Sequence, residues 1–212
     1  NRVRRQRQMC IRDRFQCIFS NKILMILYKT TNLSYEIDSR TIFSNLDFEI
    51  SSNAIYEIRG NNGSGKSSLL KILSGLNKMD KVYYDENLES NITYLGHKNG
   101  FVEEISLRDN FEIIGVPIND TLFKRFGLTK LKNQKFFNLS FGEKRKAALV
   151  RAITSKKKIW ILDEPFAGLD KESIKNLKQV FYEHIEKGVC IIMANHQEEL
   201  DESVKIYLES NV

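Results

Sequence analysis

Residues 60–68 read GNNGSGKSS, and this stretch lies between a short apolar run and an amphipathic run. The run before it, AIYEIR at 54–59, is typical of a β-strand. The run after it predicts a helix whose apolar stripe consists of Leu69, Ile72, Leu73 and Leu76. A strand, a glycine-rich loop and a helix in this order predict an α/β domain.

The loop fits the pattern G-x-x-x-x-G-K-[ST], in which backbone N–H groups turn inward around phosphate oxygens. We expect Lys66 to reach the β and γ phosphates and the Ser67 hydroxyl to bind Mg²⁺ at the start of the helix. The predicted nucleotide-binding residues of this loop are Gly60, Asn61, Asn62, Gly63, Ser64, Gly65, Lys66, Ser67 and Ser68. A glycine-rich turn that contains Lys-Ser by coincidence is the alternative, and the flanking strand and helix disfavour it.

Two adjacent carboxylates end the apolar run ILDEP at 161–165. Neighbouring residues of a strand point to opposite faces, so the two acids are expected to have different functions. We predict that Asp163 holds Mg²⁺ through its water shell and that Glu164 polarises an attacking water. A solvated strand end is the alternative, and the preceding phosphate loop makes it the weaker one.

Residues 138–149, NLSFGEKRKAAL, are a polar turn that runs into a basic helix. Ser140, Gly142 and Glu143 can present a hydroxyl, backbone N–H groups and the positive end of a helix to an anion. Because residues 60–68 are already predicted to bind one triphosphate, we expect this turn to contact a different nucleotide molecule. The basic side chains after the turn, with Arg151, are either a solvated helix face or a contact for an anion or a partner.

The positive charge of the chain is concentrated at its start. Residues 1–14 contain six Arg and one Asp, so a net charge of +6 leaves +1 for the rest of the 212 residues. We interpret residues 1–24 as a non-native or disordered leader, with Met25 as the expected start of the native chain. Residues 25–212 are predicted to form one nucleotide-binding domain with a helical insert at about 98–140.

The apolar runs in the rest of the chain predict two groups of strands, and they disfavour a membrane-spanning protein. Alternating runs at 26–37 and 41–50 predict a β-hairpin, and the continuous apolar runs 159–162 and 189–194 predict buried parallel strands, with a further strand at 204–208. In the insert we expect helix caps at Ser106, at Asn119 or Asp120, and at Gly127. The three cysteines have no spacing typical of metal sites, and no apolar run reaches the ~20 residues of a spanning helix.

Together these motifs resemble ABC-type ATPases over about residues 27–210. LSFGE at 139–143 stands where the family signature LSGGQ would, followed by ILDEPFAGLD at 161–170 and by His196 after a buried strand. The resemblance implies an α/β P-loop NTPase of ABC ATPase type. It implies a mixed sheet core, an antiparallel β subdomain and a small helical subdomain, with ATP and Mg²⁺ as cofactors.

The resemblance also implies a head-to-tail dimer of two copies, in which Ser140, Gly142 and Glu143 of one copy close on the ATP held by the other. Asp170 takes the place of the family's D-loop aspartate and is expected to communicate between the two sites. His196 takes the switch position and is expected to hold Glu164 and the water in line. The catalytic residues are then Lys66, Glu164 and His196.

Three positions depart from the family pattern. His97 stands where most members have a glutamine that faces Mg²⁺, so the predicted metal contacts are Ser67, Asp163 and a pH-sensitive His97. Phe141 replaces the middle glycine of the signature. Ile37 stands near the expected adenine-stacking aromatic, and whether Tyr35 stacks instead stays open.

The runs YLGHKNG, WILDEPF and MANHQ are similar to ATP-binding subunits of the bacterial cytochrome c maturation system, which are usually labelled haem exporters. This similarity implies transport-coupled ATP hydrolysis at the cytoplasmic face of the inner membrane, with integral membrane subunits as partners and no nucleic acid. The alternatives are an ATPase of another small-cargo exporter, a soluble ABC protein that acts on nucleic acid or ribosomes, and a small-molecule kinase. The nearly neutral body of the chain disfavours nucleic acid.

Overall fold

The computed structural model describes residues 25–77, 79, 82–84, 88–196 and 198–209. The predicted leader at 1–24 lies outside the described residues. The described residues form eight strands, which are β1 (Ile26–Ile37), β2 (Arg40–Ser51), β3 (Ile55–Arg59), β4 (Val82–Tyr84), β5 (Ile92–Leu95), β6 (Ile159–Asp163), β7 (Cys190–Ala194) and β8 (Ser203–Tyr207). The same part of the chain contains the α-helices α1 (Lys66–Leu73), α2 (Leu107–Ile113), α3 (Asp120–Arg125), α4 (Phe141–Thr154) and α5 (Lys171–Ile185).

The predicted hairpin is confirmed and belongs to a small antiparallel sheet of order β2-β1-β4. Its turn consists of Asp38 and Ser39, whose φ angles of 49° and 64° are both positive. Two positive φ angles are typical of the turns whose twist matches that of the flanking strands. The two-residue turn therefore sets the register of β1 and β2.

The central sheet is parallel and has the order β5-β6-β7-β3-β8. The predicted strands at 159–162, 189–194 and 204–208 correspond to β6, β7 and β8. All residues of β6 and β7 are buried, as expected for parallel strands that are covered on both faces. Because the strands run in the same direction, the loops after β3, β5, β6 and β7 lie at one edge of the sheet.

The helix after the glycine loop is shorter than its sequence pattern indicates. Leu69, Ile72 and Leu73 are buried, as predicted, but α1 ends at Leu73. The prediction for Leu76 is wrong, since 63% of this residue is exposed. Gly75 has a φ of 77° and turns the chain out of the helix before Leu76.

The segment between β5 and α4 contains α2, α3 and two of the 3₁₀ turns. The Ser106 hydroxyl accepts the Asp109 N–H at the start of α2, and the Asn119 side chain accepts the Leu122 N–H at the start of α3. Gly127, with a φ of 71°, follows the end of α3, as expected. Phenylalanines form the centre of this segment, and these are Phe111, Phe123, Phe126 and Phe136.

Candidate functional site

The glycine loop connects β3 to α1 and is held against the hairpin. A Cβ at Gly65 would lie 2.4 Å from Ile42 Cγ2 and 2.9 Å from Phe43 Cδ1, and its φ is 92°. Only glycine fits this position without displacing the hairpin. The hairpin therefore fixes the place where α1 begins, and with it the position of Lys66.

Lys66 is nearly buried at the start of α1, with 7% exposure. Its ammonium donates to the carbonyls of Gly60 (2.9 Å) and Asn61 (2.7 Å). Burial lowers the pKa of Lys66, and the nearby carboxylates of Glu164 and Asp163 act against this shift. The positive charge is held by carbonyl oxygens of its own loop, which suits a site that receives an anion.

The structure places His97 next to Asp163. His97 Nε2 lies 3.3 Å from Asp163 Oδ2, with the imidazole 63% exposed and the carboxylate 2% exposed. The described residues contain no group of three or more His, Cys, Asp and Glu that could hold a metal ion. A site with few protein donors, such as Asp163 with His97, suits Mg²⁺. This ion usually takes one or two protein ligands and completes its shell with phosphate oxygens and water.

A cavity of about 400 Å³ brings Glu164 and His196 together with the glycine loop. Glu164 Oε1 lies 3.7 Å from His196 Nε2, and both side chains are partly exposed. The described residues that line the cavity are Asn62, Glu164, Phe166, Ala167, Gly168, Asn195 and His196. The two residues predicted to activate water therefore face the same space as the loop predicted to hold phosphate.

The turn at 139–143 forms a capping box between Ser140 and Glu143, a local contact that competes with the predicted anion. The Ser140 N–H and hydroxyl both donate to Glu143 Oε2 at 2.8 Å, and the Glu143 N–H donates back to Ser140 Oγ at 3.3 Å. These bonds from Ser140 lower the pKa of Glu143. In this arrangement the Glu143 carboxylate, rather than an external anion, accepts from the Ser140 N–H and hydroxyl.

This turn also packs on the segment that follows Glu164. A Cβ at Gly142 would lie 2.5 Å from the Gly168 carbonyl oxygen, and the Phe141 ring lies against Gly168. Lys146 Nζ lies 3.1 Å from Asp170 Oδ2. Among the described residues that line the cavity, none belongs to the turn at 139–143. The turn therefore contacts Gly168, a residue of the cavity wall, without lining the cavity itself.

The Tyr35 ring packs against another residue of the hairpin. It packs on Phe43 with 5.8 Å between ring centroids, and its hydroxyl accepts from the Asn77 side chain at 3.2 Å. Ile37, two residues later, is 42% exposed. Adenine stacking by Tyr35 stays a prediction.

The interpretation of the basic run as a solvated face or a partner contact is wrong for Arg145. This residue is 3% exposed, and its partners are oxygens of the same chain. Its burial could have been predicted from its spacing, because Arg145 stands four residues before Leu149 and so lies on the same buried face of α4. Lys144 and Lys146 form ion pairs with Glu103 and Asp170, at 2.7 Å and 3.1 Å.

Asp170 caps α5, and this contact gives a pH-dependent contribution to stability. Its side chain accepts the Ser173 N–H at 2.8 Å and bonds Lys146, and the Ser173 bond is the main cause of a pKa lowered from 3.8 to about 2. A carboxylate with a lowered folded-state pKa stabilises the protein above its unfolded pKa and loses this effect as the pH falls through the folded value.

We therefore expect Asp170→Ala to lower the free energy of unfolding by about 1 kcal/mol at pH 7. Urea unfolding measured from pH 5 to pH 3 should show the difference from wild type shrinking below about pH 4. Asp170→Asn keeps a capping oxygen and should lose less. A difference that stays constant with pH would contradict the role of the ionised carboxylate.

Comparison with known proteins places the chain in a family. The family model described as ABC transporter matches residues 43–167. The cytochrome c biogenesis ATP-binding export protein CcmA of Shewanella frigidimarina is 34% identical over 189 residues, covering 82% of this chain and 88% of the relative. The protein of the same name from Idiomarina loihiensis is 37% identical over 174 residues, covering 74% and 80%.

Solved structures agree on the fold, and two ATP-binding proteins illustrate this. A dimeric ATP-binding cassette in a post-hydrolysis state, bound to ADP and Pi, has a TM-score of 0.72 at 20% identity and covers 89% of this chain and 97% of its own. A putative ABC transporter ATP-binding protein from Pyrococcus furiosus has a TM-score of 0.72 at 22% identity and covers 85% and 96%. The predicted α/β fold of ABC ATPase type is confirmed. The chain belongs to the ABC transporter family, as an ATP-binding subunit that hydrolyses ATP.

Proposed function

We propose that this chain drives a transporter that handles haem in cytochrome c-type biogenesis, bound peripherally at the cytoplasmic face of the bacterial inner membrane. The observation that carries the proposal is a sequence identity of 34%, over 82% of the chain, to a cytochrome c biogenesis ATP-binding export protein. Residues 25–212 act as one nucleotide-binding domain in this proposal. An ATPase of another small-cargo exporter is the second candidate, since the site itself carries no information on cargo.

ATP binds with its phosphates in the loop at 60–68, where Lys66 exchanges its two carbonyl partners for phosphate oxygens. Ser67, Asp163 and His97 would hold Mg²⁺, which would neutralise phosphate charge, and of these His97 lies beside Asp163. Glu164 accepts a proton from water in the cavity, and His196 keeps the carboxylate and the water in line. ATP and water thereby give ADP and phosphate.

A second copy of the chain completes the site. None of the described residues that line the cavity belongs to the turn at 139–143, which supports a role for this turn at the nucleotide of a facing copy. To donate to that nucleotide, the Ser140 hydroxyl must leave Glu143 Oε2. A phosphate oxygen would then take the place of the Glu143 carboxylate as acceptor for Ser140. Both groups are anions, so the N-terminus of α4 would still face a negative charge.

Membrane subunits are the second class of partner. Apolar side chains are exposed on the segment between β5 and α4, where Val102, Ile113 and Phe137 are 47%, 71% and 54% exposed. Exposed apolar groups of this kind suit a protein interface. In the described part of the chain no helix has the length and apolar character needed to cross a bilayer.

Purification of the tagged full chain from detergent-solubilised membranes tests the proposal. We expect integral membrane proteins of cytochrome c maturation to be recovered by mass spectrometry, together with ATP hydrolysis in the purified complex. Cells lacking the chain should lose covalent haem in c-type cytochromes, and a Lys66→Ala copy should not restore it. Recovery with the subunits of an unrelated exporter would favour the second candidate. Submicromolar RNA or DNA binding at physiological salt would favour the soluble class.

A further inference from the structure

Arg145 lies beside the candidate site, and none of its described hydrogen bonds involves the loop at 60–68. It is in the second turn of α4 and is 3% exposed. Its guanidinium donates to oxygens of four residues, which are Gly96, Asn99, Asp163 and Glu164. Among the described residues no ion pair includes Arg145. A buried guanidinium held by carbonyl oxygens indicates that the position of those carbonyls matters.

The first of these positions is the backbone of Glu164. Its φ of 50° is in the left-handed region, which residues with a side chain rarely adopt and which the surrounding contacts must hold in place. The Glu164 N–H donates to Ala194 O at 2.9 Å, which fixes one side of the residue. On the other side the Glu164 carbonyl accepts from Ala167 N–H at 3.1 Å and from Arg145 Nη2 at 3.0 Å.

The second position is the loop that carries His97. Arg145 Nη1 donates to the Gly96 carbonyl at 2.8 Å, and Nη2 also bonds the Asp163 carbonyl. The peptide before His97 and the peptides after Asp163 and Glu164 are therefore held by one planar group. The contact between His97 and Asp163, 3.3 Å long, lies beside this bridge.

We infer that Arg145 is a positioning residue, which keeps Glu164 in its left-handed conformation and holds the His97 loop against Asp163. The inference rests on the proposed roles of Glu164 and His97 in ATP hydrolysis. Arg145 itself exchanges no proton with the substrate. Its effect on turnover passes through the direction of the Glu164 carboxylate.

Arg151 offers a matched control on the same helix. It also donates to the loop after His97, at 2.8 Å to Asn99 O and 2.6 Å to Gly100 O, and its guanidinium lies 4.6 Å from the Phe101 ring centroid. None of the hydrogen bonds described for Arg151 involves Asp163 or Glu164. Loss of loop contacts alone can thus be separated from loss of the bridge to Glu164.

The experiment measures steady-state ATPase kinetics and ATP affinity of the full chain carrying Arg145→Met, Arg145→Lys or Arg151→Met. We expect Arg145→Met to lower kcat by about 100-fold, the scale of a misplacement near 1 Å, with less than about a threefold change in ATP affinity. Arg145→Lys keeps the charge but cannot span the same carbonyls, and should lower kcat less. Arg151→Met should keep kcat within about threefold of wild type, even where its melting temperature falls.

A double-mutant cycle distinguishes positioning from a general structural role. In a Glu164→Gln background, Arg145→Met should cause little further loss, because two residues that act through one carboxylate are not additive. Full additivity would overturn the inference, as would equal losses of kcat in the Arg145 and Arg151 variants. Misfolding of both Arg145 variants would assign the residue a structural role and also overturn it. Absence of ATPase activity in the wild-type chain would instead contradict the proposed function.

Discussion

Replacing Glu164 by Gln is expected to lower ATP turnover by about 10³-fold and to leave ATP bound. The amide has the shape of the carboxylate but cannot accept the proton of the attacking water. Glu164 faces the cavity that it shares with His196, while Lys66 and the glycines that hold the phosphates lie on the loop after β3. Binding and hydrolysis therefore depend on different elements, and one substitution can separate them.

The ATP-bound state should then accumulate as a dimer, because the step that releases the second copy is blocked. Size-exclusion chromatography with light scattering, run with and without ATP and Mg²⁺, measures this, and a coupled assay measures turnover. Glu183→Gln is the control, since this carboxylate pairs with Arg125 at 3.1 Å, away from the cavity residues. A Glu164→Gln protein that keeps more than about a tenth of wild-type turnover would show that another group activates the water.

The parts of the fold that the sequence predicted are those encoded by local patterns. The glycine loop, the hairpin and the strands β6 and β7 each follow from spacing within a dozen residues. The short strands β4 and β5 were not predicted, because runs of three and four residues carry too little periodicity. Leu76 was assigned to α1 because it continues the helical spacing of Leu69, Ile72 and Leu73. The helix ends before it, because Gly75 turns the chain away.

The meeting of the site residues follows from the order of the sheet, of which the sequence predicted β6 and β7 but not β5. Because β5, β6 and β7 are parallel neighbours, the residues that follow them meet at one edge, and His97 reaches Asp163 while His196 reaches Glu164. The burial of Arg145 was not predictable in this way. Its acceptors are mostly backbone carbonyls, and every residue type has a backbone carbonyl, so the sequence does not show which of them Arg145 contacts.

Replacing Ser140 by Arg is expected to abolish turnover while ATP still binds. Ser140 is exposed on the turn and caps α4, so its loss removes the hydroxyl and places a bulky cation at a helix N-terminus, where positive charge is unfavourable. The loop at 60–68 in the same copy is unchanged, so ATP affinity should stay within about threefold of wild type. Ser140→Ala removes the hydroxyl without the bulk and serves as the milder variant.

Mixing variants tests whether Ser140 serves the nucleotide of the other copy. A Lys66→Ala chain cannot hold ATP phosphates, and a Ser140→Arg chain cannot complete its neighbour's site, so each alone should be inactive. A head-to-tail dimer of the two contains one site with an intact Lys66 from one copy and an intact Ser140 from the other. An equal mixture with free exchange should therefore recover up to roughly a quarter of wild-type turnover, because half of the dimers are mixed and each has one complete site. If Ser140 acted on the loop of its own copy, every site in the mixture would lack either Lys66 or Ser140, and no activity would return.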